Sequence, residues 1–261
     1  MTSMKNWICI FSDAGLAALS AFIDRTTLFT FDLDGTLAPI VDDPVGIMIP
    51  DDVREKLMRL CHLANVTVLT GRARDDARAH LGFEPRFIVG NHGAEGLPGW
   101  EQREGGFVRL CRQWEDQLRA ILTHARESGI VIENKGSSLT LHYRKAPDRE
   151  AAHAEILRAV QRLEPLPRRI SGKCVENIMP SDSLNKGEAL LQLMRHAGSD
   201  RSVFIGDDVT DEDVFRLRND HVLGIRVGNS SSSEADYCLS DQNQIGRLLD
   251  EIIHALERAI P

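Results

Sequence analysis

The chain has 261 residues, which is enough for one large domain or for a core domain with a smaller one. Its composition, 42% hydrophobic and 27% charged, is ordinary for a soluble globular protein. The formal net charge of −8 disfavours nucleic acid and anionic membranes as partners, because proteins that bind them carry a basic surface.

Cysteine usage and apolar segments indicate the compartment. The cysteines are Cys9, Cys61, Cys111, Cys174 and Cys238. They are odd in number, far apart and without a Cys-x-x-Cys pair, so we expect neither zinc nor a disulfide framework, and a reducing compartment fits. The apolar run at residues 7–11 is too short for a signal peptide, and no stretch approaches the roughly 18 apolar residues of a membrane span. We therefore expect a cytoplasmic protein without a membrane segment.

The first 107 residues alternate helical and strand patterns. Helices are predicted over residues 12–24, 51–64 and 75–81, the second with Asp51 as its N-cap. Strands are predicted over residues 26–31, 66–69 and 86–89, with a Pro- and Asp-rich loop at 39–50. Strands that alternate with helices in this way predict parallel βαβ units in a doubly wound sheet, and hence an α/β fold.

The pattern changes in the middle of the chain. Helices are predicted over residues 107–128 and 148–163, and strands over 130–133, 138–143, 168–171 and 174–178. A helix followed by two strands, twice over, predicts a smaller α+β domain at residues 108–181. We expect its connections to be Gly105-Gly106 and residues 180–183.

The parallel pattern then returns. A helix over residues 186–197, strands over 202–205, 223–227 and 236–239, and a closing helix complete the sheet. The core domain is therefore predicted to be discontinuous, at residues 1–107 and 182–261, with the α+β domain inserted.

Reactive residues follow four of the predicted strands of the core. The four segments are Asp32-Leu33-Asp34-Gly35-Thr36, Thr70-Gly71-Arg72, Asn91-His92-Gly93 and Gly206-Asp207-Asp208-Val209-Thr210-Asp211. Ligand sites of open α/β sheets lie at the carboxyl ends of the strands, so we expect these segments to meet at one edge. Crowded carboxylates need a compensating cation, and oxygen ligands without His or Cys favour Mg²⁺.

The first segment suits phosphoryl transfer. Asp32 could attack phosphorus to form an aspartyl-phosphate, and Asp34 could act as general acid and base. Thr36 and Thr70 offer hydroxyl groups to phosphate oxygens, and Lys186 could offset the negative charge. Gly71, Arg72 and His92 are further candidate substrate contacts at the same edge. Each residue alone has an ordinary structural explanation, but together they favour a catalytic site.

These motifs resemble those of the haloacid-dehalogenase superfamily. Its four motifs are similar to Phe31–Leu37, to Thr70, to Lys186 and to Gly206-Asp207-Asp208 with Asp211. The resemblance implies that Asp32 is the nucleophile and that Mg²⁺ is held by Asp32, the Asp34 carbonyl and Asp207. It also implies supporting roles for Asp208 and Asp211 and a cap of the α/β type called C2.

Within that superfamily the chain most resembles the trehalose-6-phosphate phosphatases. The resemblance rests on segments in both predicted domains: 91–95, 133–136, 141–144, 172–175, 185–187 and 206–212. It implies that Glu133 and Lys135 of the cap contact the sugar of a small phosphorylated substrate, trehalose 6-phosphate.

The last predicted strand of the cap departs from this family. Aligning Gly172 and Pro180 with the family pattern puts Asn177 where a sugar-binding Glu is expected, with Glu176 one position earlier. Neighbouring residues of a strand face opposite sides, so Glu176 replaces that Glu only if a bulge shifts the register. Asn177 remains a candidate sugar contact, since an amide can still hydrogen-bond a hydroxyl.

The leading hypothesis is therefore Mg²⁺-dependent hydrolysis of trehalose 6-phosphate in trehalose biosynthesis. A phosphatase for another sugar or glycosyl phosphate is the alternative that Asn177 favours. A phosphomutase would share the aspartyl-phosphate step but keep the phosphate on its product. A phosphosugar-binding protein without activity is a further alternative, because a fold does not guarantee activity.

Overall fold

The computed structural model describes residues 8–41, 46–125, 127–217, 219–228, 230 and 232–258. The chain forms two compact units, Met1–Pro98 with Leu184–Pro261, and Gly99–Ser183. The insertion expected at residues 108–181 lies within the second unit, which begins nine residues earlier and ends two residues later.

Strands and helices have the following bounds. In chain order the strands are β1 Ile8–Cys9, β2 Leu28–Phe31, β3 Asn65–Leu69, β4 Phe87–Val89, β5 Val131–Asn134, β6 Leu139–His142, β7 Arg168–Gly172, β8 Val175–Met179, β9 Ser202–Gly206, β10 Val222–Val227 and β11 Tyr237–Leu239. The helices are α1 Asp13–Phe22, α2 Asp51–Leu63, α3 Arg74–Leu81, α4 Glu101–Ile121, α5 Arg149–Val160, α6 Lys186–Ala197, α7 Glu212–Phe215 and α8 Ile245–Arg258.

The first unit is built on a parallel sheet with the strand order β1-β11-β10-β9-β2-β3-β4. All of its described pairings are parallel, which confirms the doubly wound α/β sheet. From β2 the chain proceeds to β3 and β4 on one side, and it returns to β9, β10 and β11 on the other. The order therefore reverses at β2, where ligand sites of such sheets form.

Apolar side chains fix β2 in the middle of this unit. All four of its residues are buried, and Phe29 and Phe31 pack in one core cluster with Val203 and Ile205 of β9. Helices α2 and α8 pack against each other and contribute their apolar faces to the same cluster. A strand buried on both faces is an apolar run, which is why the sequence predicted β2.

The second unit is an antiparallel sheet of order β5-β6-β8-β7 with α4 and α5. Its core holds Trp114, Leu139, Leu141, Ile156 and Ile178, all fully buried. The Nε1 of Trp114 donates to the carbonyl of Pro165 at 2.7 Å, so its polar end is satisfied. The prediction of a smaller α+β domain is therefore confirmed.

Helix α4 differs most from its prediction. It begins at Glu101 instead of residue 107, so Gly105 and Gly106 lie inside a helix and the connection predicted there is wrong. Glu101 and Glu104 occupy the first turn, where negative charge is favoured by the helix dipole. The helix ends at Ile121, before residue 128, and residue 126 of the predicted span lies outside the described residues.

Smaller differences concern ends and short elements. The N-cap of α2 is Pro50, so Asp51 lies inside the helix, where it pairs with Arg54 at 2.7 Å. Strand β1 and helix α7 were not predicted, because two and four residues are too few for a periodic pattern. Of the predicted loop at 39–50, residues 42–45 lie outside the described residues. None of the described helices has both the length and the apolar character that a membrane crossing requires.

Candidate active site

Asp32 begins the first loop of the site. Its N–H donates to the carbonyl of Ile205 at 2.9 Å, so the pairing of β2 with β9 extends to this residue. Leu33 and Leu37 are fully buried and anchor the loop that follows. Asp32 is thus held at the carboxyl end of the central strand with its side chain only 7% exposed.

Gly35 allows a second loop to approach. Its φ is +81°, and a Cβ built on it would lie 2.2 Å from Oδ2 of Asp207. A side chain here would be strained and would push Asp207 away. The glycine of the Asp-x-Asp-Gly sequence therefore permits the tight turn and also leaves space for the side chain of Asp207.

Three carboxylates and one lysine meet at this edge of the sheet. Asp32, Asp207 and Asp211 each offer a carboxylate oxygen, and these oxygens lie within 4.8 Å of one another. The Nζ of Lys186 donates to Oδ1 of Asp32 at 2.8 Å and to Oδ1 of Asp211 at 2.7 Å. The predicted meeting of the first, third and fourth motifs is therefore observed in the geometry.

The capping of α6 orients Lys186. Asn185 caps the helix by accepting from the N–H of Glu188 at 2.9 Å, and the Glu188 side chain accepts from the N–H of Asn185 at 3.0 Å. Lys186 is the first residue of the helix, and its side chain is 1% exposed. A buried ammonium group of this kind is stable only with its charge paired.

Charge crowding shifts the pKa values of the cluster. Burial raises the pKa of Asp32 well above its usual range, with Lys186 opposing and Asp211 and Asp207 reinforcing the shift. Burial, with Asp211 and Asp208, raises the pKa of Asp207 to about 7, against the opposing charges of Lys186 and Arg226. Lys186 itself has a raised pKa, because Asp211 and Asp32 outweigh its burial.

Burial and the neighbouring carboxylates raise these pKa values, and a divalent cation beside the cluster would oppose the shift by supplying positive charge. Oxygen donors alone suit Mg²⁺, so the residues present fit the predicted metal. Of the five predicted ligands, the structure brings together Asp32, Asp207 and Asp211. The side chain of Asp34 pairs with Arg72, which leaves its carbonyl as the predicted ligand, and Asp208, predicted in a supporting role, is exposed.

Arg72 holds both oxygens of Asp34. Its Nε and one terminal nitrogen donate to the two Asp34 oxygens at 2.7 Å each, and its other terminal nitrogen donates to Asp76 at 2.9 Å. This bidentate pair uses the planar fork of arginine, which lysine cannot reproduce. The sequence predicted Arg72 as a substrate contact and did not predict this pairing.

The remaining predicted core residues lie around the same edge. Thr36 is fully buried and donates weakly to Asp207 at 3.4 Å, while Oγ1 of Thr70 accepts from the N–H of Arg72 at 3.2 Å. His92 has a φ of +57°, and its N–H donates to the carbonyl of Thr70 at 2.9 Å. Its ring lies so near Gly71 that a Cβ there would be 2.3 Å away.

Two residues to which the sequence analysis assigned no role, Arg226 and Glu212, brace the second acidic loop. Arg226, in β10, donates to the carbonyls of Asp207 at 2.5 Å and Asp208 at 3.3 Å. It also donates to Oε1 of Glu212 at 3.1 Å. The sequence did contain one signal for Arg226, because it is a basic residue in the strand next to the one that precedes the acidic loop.

Glu133 and Lys135, the predicted sugar contacts, lie in the second unit. Oε2 of Glu133 forms a hydrogen bond of 2.7 Å with Nε2 of His142 and lies 4.0 Å from Nζ of Lys135. Glu133 is exposed at the end of β5, and Lys135 follows that strand. His142 of β6 is therefore a hydrogen-bond partner of Glu133.

Glu176 and Asn177 lie on opposite faces of the cap sheet. The pairing of β8 with β6 and β7 runs through residues 175–179 without a bulge. Glu176 is fully buried and pairs with His153 of α5 at 2.8 Å, whereas Asn177 accepts from Thr140 at 2.7 Å. Glu176 therefore does not take the place of the Glu that the family pattern has at position 177.

The fold and the site together define a haloacid-dehalogenase-like protein. Its marks are the doubly wound sheet, the acidic loops after β2 and β9, the buried lysine of α6 and the inserted α+β unit. The sequence profile of the family described as Trehalose-phosphatase matches residues 30–243. The chain belongs to this family, which confirms the resemblance drawn from the motifs.

Individual proteins agree with this assignment. The chain is 35% identical over 225 residues to the Sinorhizobium fredii protein named "Probable trehalose-phosphate phosphatase", and the match covers 82% of each chain. It is 26% identical to trehalose-phosphate phosphatase B of Arabidopsis thaliana, where the match covers 85% of this chain and 65% of the plant protein. The C-terminal domain of Candida albicans trehalose-6-phosphate phosphatase has the same fold, with a TM-score of 0.71 and 21% identity over 96% of this chain and 99% of that one.

Proposed function

We propose that the chain is a phosphatase that hydrolyses trehalose 6-phosphate to trehalose and phosphate, with Asp32 as the nucleophile. The observation that carries the proposal is the environment of Asp32. Its buried carboxylate is paired with Lys186 and adjoins Asp207 and Asp211, at the switch point of the sheet. The five free thiols agree with a reducing compartment, and we place the reaction in the cytoplasm.

The first step transfers the phosphoryl group to the protein. A carboxylate oxygen of Asp32 attacks phosphorus, and the bond between phosphorus and the sugar oxygen breaks. Asp34, two residues further along the same loop, gives its proton to the leaving oxygen, so trehalose departs neutral. Because both Asp34 oxygens pair with Arg72 in the structure, Asp34 must exchange at least one of those hydrogen bonds when it acts.

The second step releases phosphate. A water molecule attacks the phosphorus of the aspartyl-phosphate, Asp34 accepts the proton of that water, and the bond to Asp32 breaks. Asp32 returns as a carboxylate and Asp34 as an acid, so atoms and charges balance over the cycle. Asp32 and Asp34 thus both act in each step: Asp32 binds and then releases the phosphoryl group, and Asp34 donates and then accepts a proton.

Charge stabilisation comes from the surrounding groups. Lys186 offsets charge on Asp32 and on the phosphoryl oxygens, while Thr36 and Thr70 supply hydroxyl groups at the same edge. Mg²⁺ held by Asp32 and Asp207, with the Asp34 carbonyl, Asp208 and Asp211 in support, would supply further positive charge next to the phosphoryl group. Gly71 leaves room for the ring of His92, which a side chain at position 71 would displace.

We assign sugar recognition to the second unit, residues 99–183. Glu133 and Lys135 form a charged pair on an exposed strand end, with His142 as a further partner of Glu133. Polar groups of this kind suit sugar hydroxyls, because an unpaired buried hydroxyl costs about 1–3 kcal/mol.

A panel of phosphate esters tests the proposal. Phosphate release is measured from trehalose 6-phosphate, glucose 6-phosphate and other sugar phosphates, with Mg²⁺ and with EDTA. We expect trehalose 6-phosphate to give the highest kcat/KM, and EDTA to abolish turnover. Asp32→Asn should lower kcat by about 1,000-fold or more, while Asp200→Asn, the same change at an exposed position before β9, should leave it unchanged.

A second candidate function follows from Asn177. Its carboxamide oxygen accepts from Thr140 at 2.7 Å and its Nδ2 donates weakly to the carbonyl of Ile170 at 3.4 Å, which leaves the second N–H of Asn177 for a ligand. A glutamate at this position would instead accept hydrogen bonds from hydroxyl groups. This difference favours a phosphatase for another sugar or glycosyl phosphate as the alternative.

Substitution at this position separates the two functions. If trehalose 6-phosphate is the substrate, Asn177→Ala should lower its kcat/KM about tenfold, the equivalent of one neutral hydrogen bond. If another sugar phosphate leads the panel, Asn177→Glu should shift preference toward trehalose 6-phosphate. Binding of a sugar phosphate without release of phosphate would favour a protein without activity, and a phosphorylated sugar product would favour a mutase.

A further inference from the structure

Arg226 makes an unusual set of contacts with the second acidic loop. One terminal nitrogen donates to the carbonyl of Asp207, and the other donates to the carbonyl of Asp208 and to Oε1 of Glu212. The side chains of Arg226 and Glu212 are 12% and 7% exposed. One guanidinium group thus joins two consecutive backbone carbonyls to a buried carboxylate.

The position of Arg226 follows from the sheet register. Arg226 of β10 lies opposite Gly206, the last residue of β9, so its side chain reaches the residues that come next along the chain. Glu212 is fixed in turn, since its Oε2 accepts from the N–H of Glu234 at 2.9 Å. The pair therefore ties the loop after β9 to β10 and to the segment before β11.

The other side of the same loop is held by a different residue. Oδ2 of Asp211 accepts from the N–H of Asp208 at 2.8 Å, while Oδ1 of Asp211 accepts from Lys186. One donor of the loop, the N–H of Asp208, is thus satisfied from inside the carboxylate cluster, and the carbonyls of Asp207 and Asp208 are satisfied by Arg226. With both sets of bonds in place, the backbone that carries Asp207 is fixed.

We propose that Arg226, with Glu212, is the positioning residue of the metal-binding loop, and that it sets the direction of the Asp207 carboxylate. The inference deepens the proposed function and rests on it for the identity of the metal. Arg226 acts through the backbone of Asp207 and Asp208, whose carbonyls accept its hydrogen bonds. Its guanidinium fork is required, because a single ammonium group cannot serve three acceptors in fixed directions.

Charge and geometry predict opposite results, which makes the proposal testable. Arg226 is a cation beside a cluster of carboxylates, so its removal would strengthen Mg²⁺ binding if charge alone mattered. If Arg226 positions the loop, its removal weakens Mg²⁺ binding although the cluster becomes more negative. The sign of the change therefore distinguishes a positioning residue from a neighbouring charge.

The experiment measures Mg²⁺ binding on the full chain by the rise of Tm during a Mg²⁺ titration, which needs no turnover. We expect Arg226→Gln and Arg226→Lys each to raise the midpoint of the titration tenfold or more. Arg216→Gln is the matched control, because it removes the same charge from an exposed position after α7, and its midpoint should stay within twofold of wild type.

The outcomes separate this inference from the proposed function. A lower or unchanged midpoint in Arg226→Gln, or a wild-type midpoint in Arg226→Lys, would overturn the positioning role. A wild-type chain whose Tm does not respond to Mg²⁺ would overturn the metal site and this inference together. Activity on a sugar phosphate other than trehalose 6-phosphate would leave the titration, and the inference, intact. Circular dichroism without metal checks that each variant is folded, and Arg226→Lys, which keeps the charge, is the milder change.

Discussion

Lys186 is the residue on which the charge balance of the site depends. Its ammonium group is almost fully buried between Asp32 and Asp211, at 2.8 and 2.7 Å. Removing one partner of a buried charge pair leaves the other uncompensated, which costs about 3–5 kcal/mol. Lys186 therefore supports both the stability of the first unit and the ionised state of Asp32, the proposed nucleophile.

Lys186→Gln should lower both activity and stability. We expect kcat to fall about 100-fold or more, because neither Asp32 nor the phosphoryl oxygens keep their positive neighbour, and the free energy of unfolding to fall by about 3–5 kcal/mol. Lys56→Gln is the control, since Lys56 pairs with Asp250 near the surface and should cost about 1 kcal/mol at most. Equal effects of the two substitutions on activity would contradict the role of Lys186.

Arg72 orients the proposed general acid. Arg72→Lys keeps the charge but loses the two-point contact with Asp34, so we expect kcat to fall about 10–100-fold with a small change in Tm. Arg78→Lys in the following helix α3 is the control, because Arg78 only approaches Asp75 at 3.7 Å near the surface. If Arg72→Lys turns over substrate at the wild-type rate, Asp34 does not need this partner.

At the scale of elements, the capping of α6 connects local structure to catalysis. Asn185 and Glu188 exchange hydrogen bonds between side chain and backbone at the start of the helix, on either side of Lys186 and Gly187. The sequence pattern Asn-Lys-Gly-Glu thus starts a helix and also carries Lys186, which we propose to be catalytic. Local sequence alone could identify the first role but not the second.

Asn185→Ala should destabilise the chain by about 1 kcal/mol, because an N-cap hydrogen bond is lost. For a unit of this size that corresponds to a fall in Tm of about 2–4 °C. Arg195→Ala, at an exposed position in the last turn of the same helix, should change the free energy of unfolding by less than about 0.5 kcal/mol. A Tm unchanged by Asn185→Ala would show that tertiary packing alone fixes the start of α6.

A pH-dependent contact joins α4 to β5. Asn134 and Arg119 donate to Glu115 and lower its pKa below the ordinary value of 4.5. A lowered folded-state pKa contributes stability above the unfolded pKa, and this contribution is lost as pH falls through the folded pKa. Asn134→Ala should therefore lower Tm more at about pH 7 than at about pH 3.5, and the difference should vanish in a Glu115→Gln background. An equal loss at both pH values would contradict the contribution of ionised Glu115.

The sequence predicted the sheet and the site to different extents. Strand β2 was predictable because buried parallel strands are apolar runs, and the carboxylates after it share an edge with those after β9. The early start of α4 was not, because Gly105 and Gly106 suggested a connection while the helical hydrogen bonds and packing of Phe107 tolerate them. The contacts of Arg72 and Arg226 link residues 38 and 19 positions apart, so no local pattern reveals them.

At the scale of the whole molecule, the proposed function divides chemistry and sugar recognition between the two units. The carboxylate cluster and Lys186 lie in the unit formed by Met1–Pro98 and Leu184–Pro261, whereas Glu133, Lys135 and Asn177 lie in Gly99–Ser183. Each unit has its own apolar core. The departure at Asn177 therefore bears on substrate preference and leaves the chemistry of the first unit unchanged.

The carboxylate cluster should make the stability of the metal-free protein fall as pH rises. Asp207 has an ordinary pKa of 3.8 and a folded pKa of about 7, so the folded state binds more protons between these values and stability decreases across this range. We expect Tm in EDTA to be lower at about pH 8 than at about pH 6, and Mg²⁺ to raise Tm more at the higher pH. Asp207→Asn should remove most of this pH dependence, and a Tm in EDTA that rises from pH 6 to pH 8 would contradict the crowding of the cluster.

The central claim is that Asp32 carries the phosphoryl group during turnover. Its most direct test is an acid quench of the enzyme during hydrolysis of trehalose 6-phosphate in Mg²⁺, followed by mass spectrometry of the peptide that contains Asp32. We predict the mass of one added phosphoryl group on Asp32, lost on treatment with hydroxylamine and absent from Asp32→Asn. Rapid turnover of substrate with no such adduct, or an adduct on another residue, would contradict the claim.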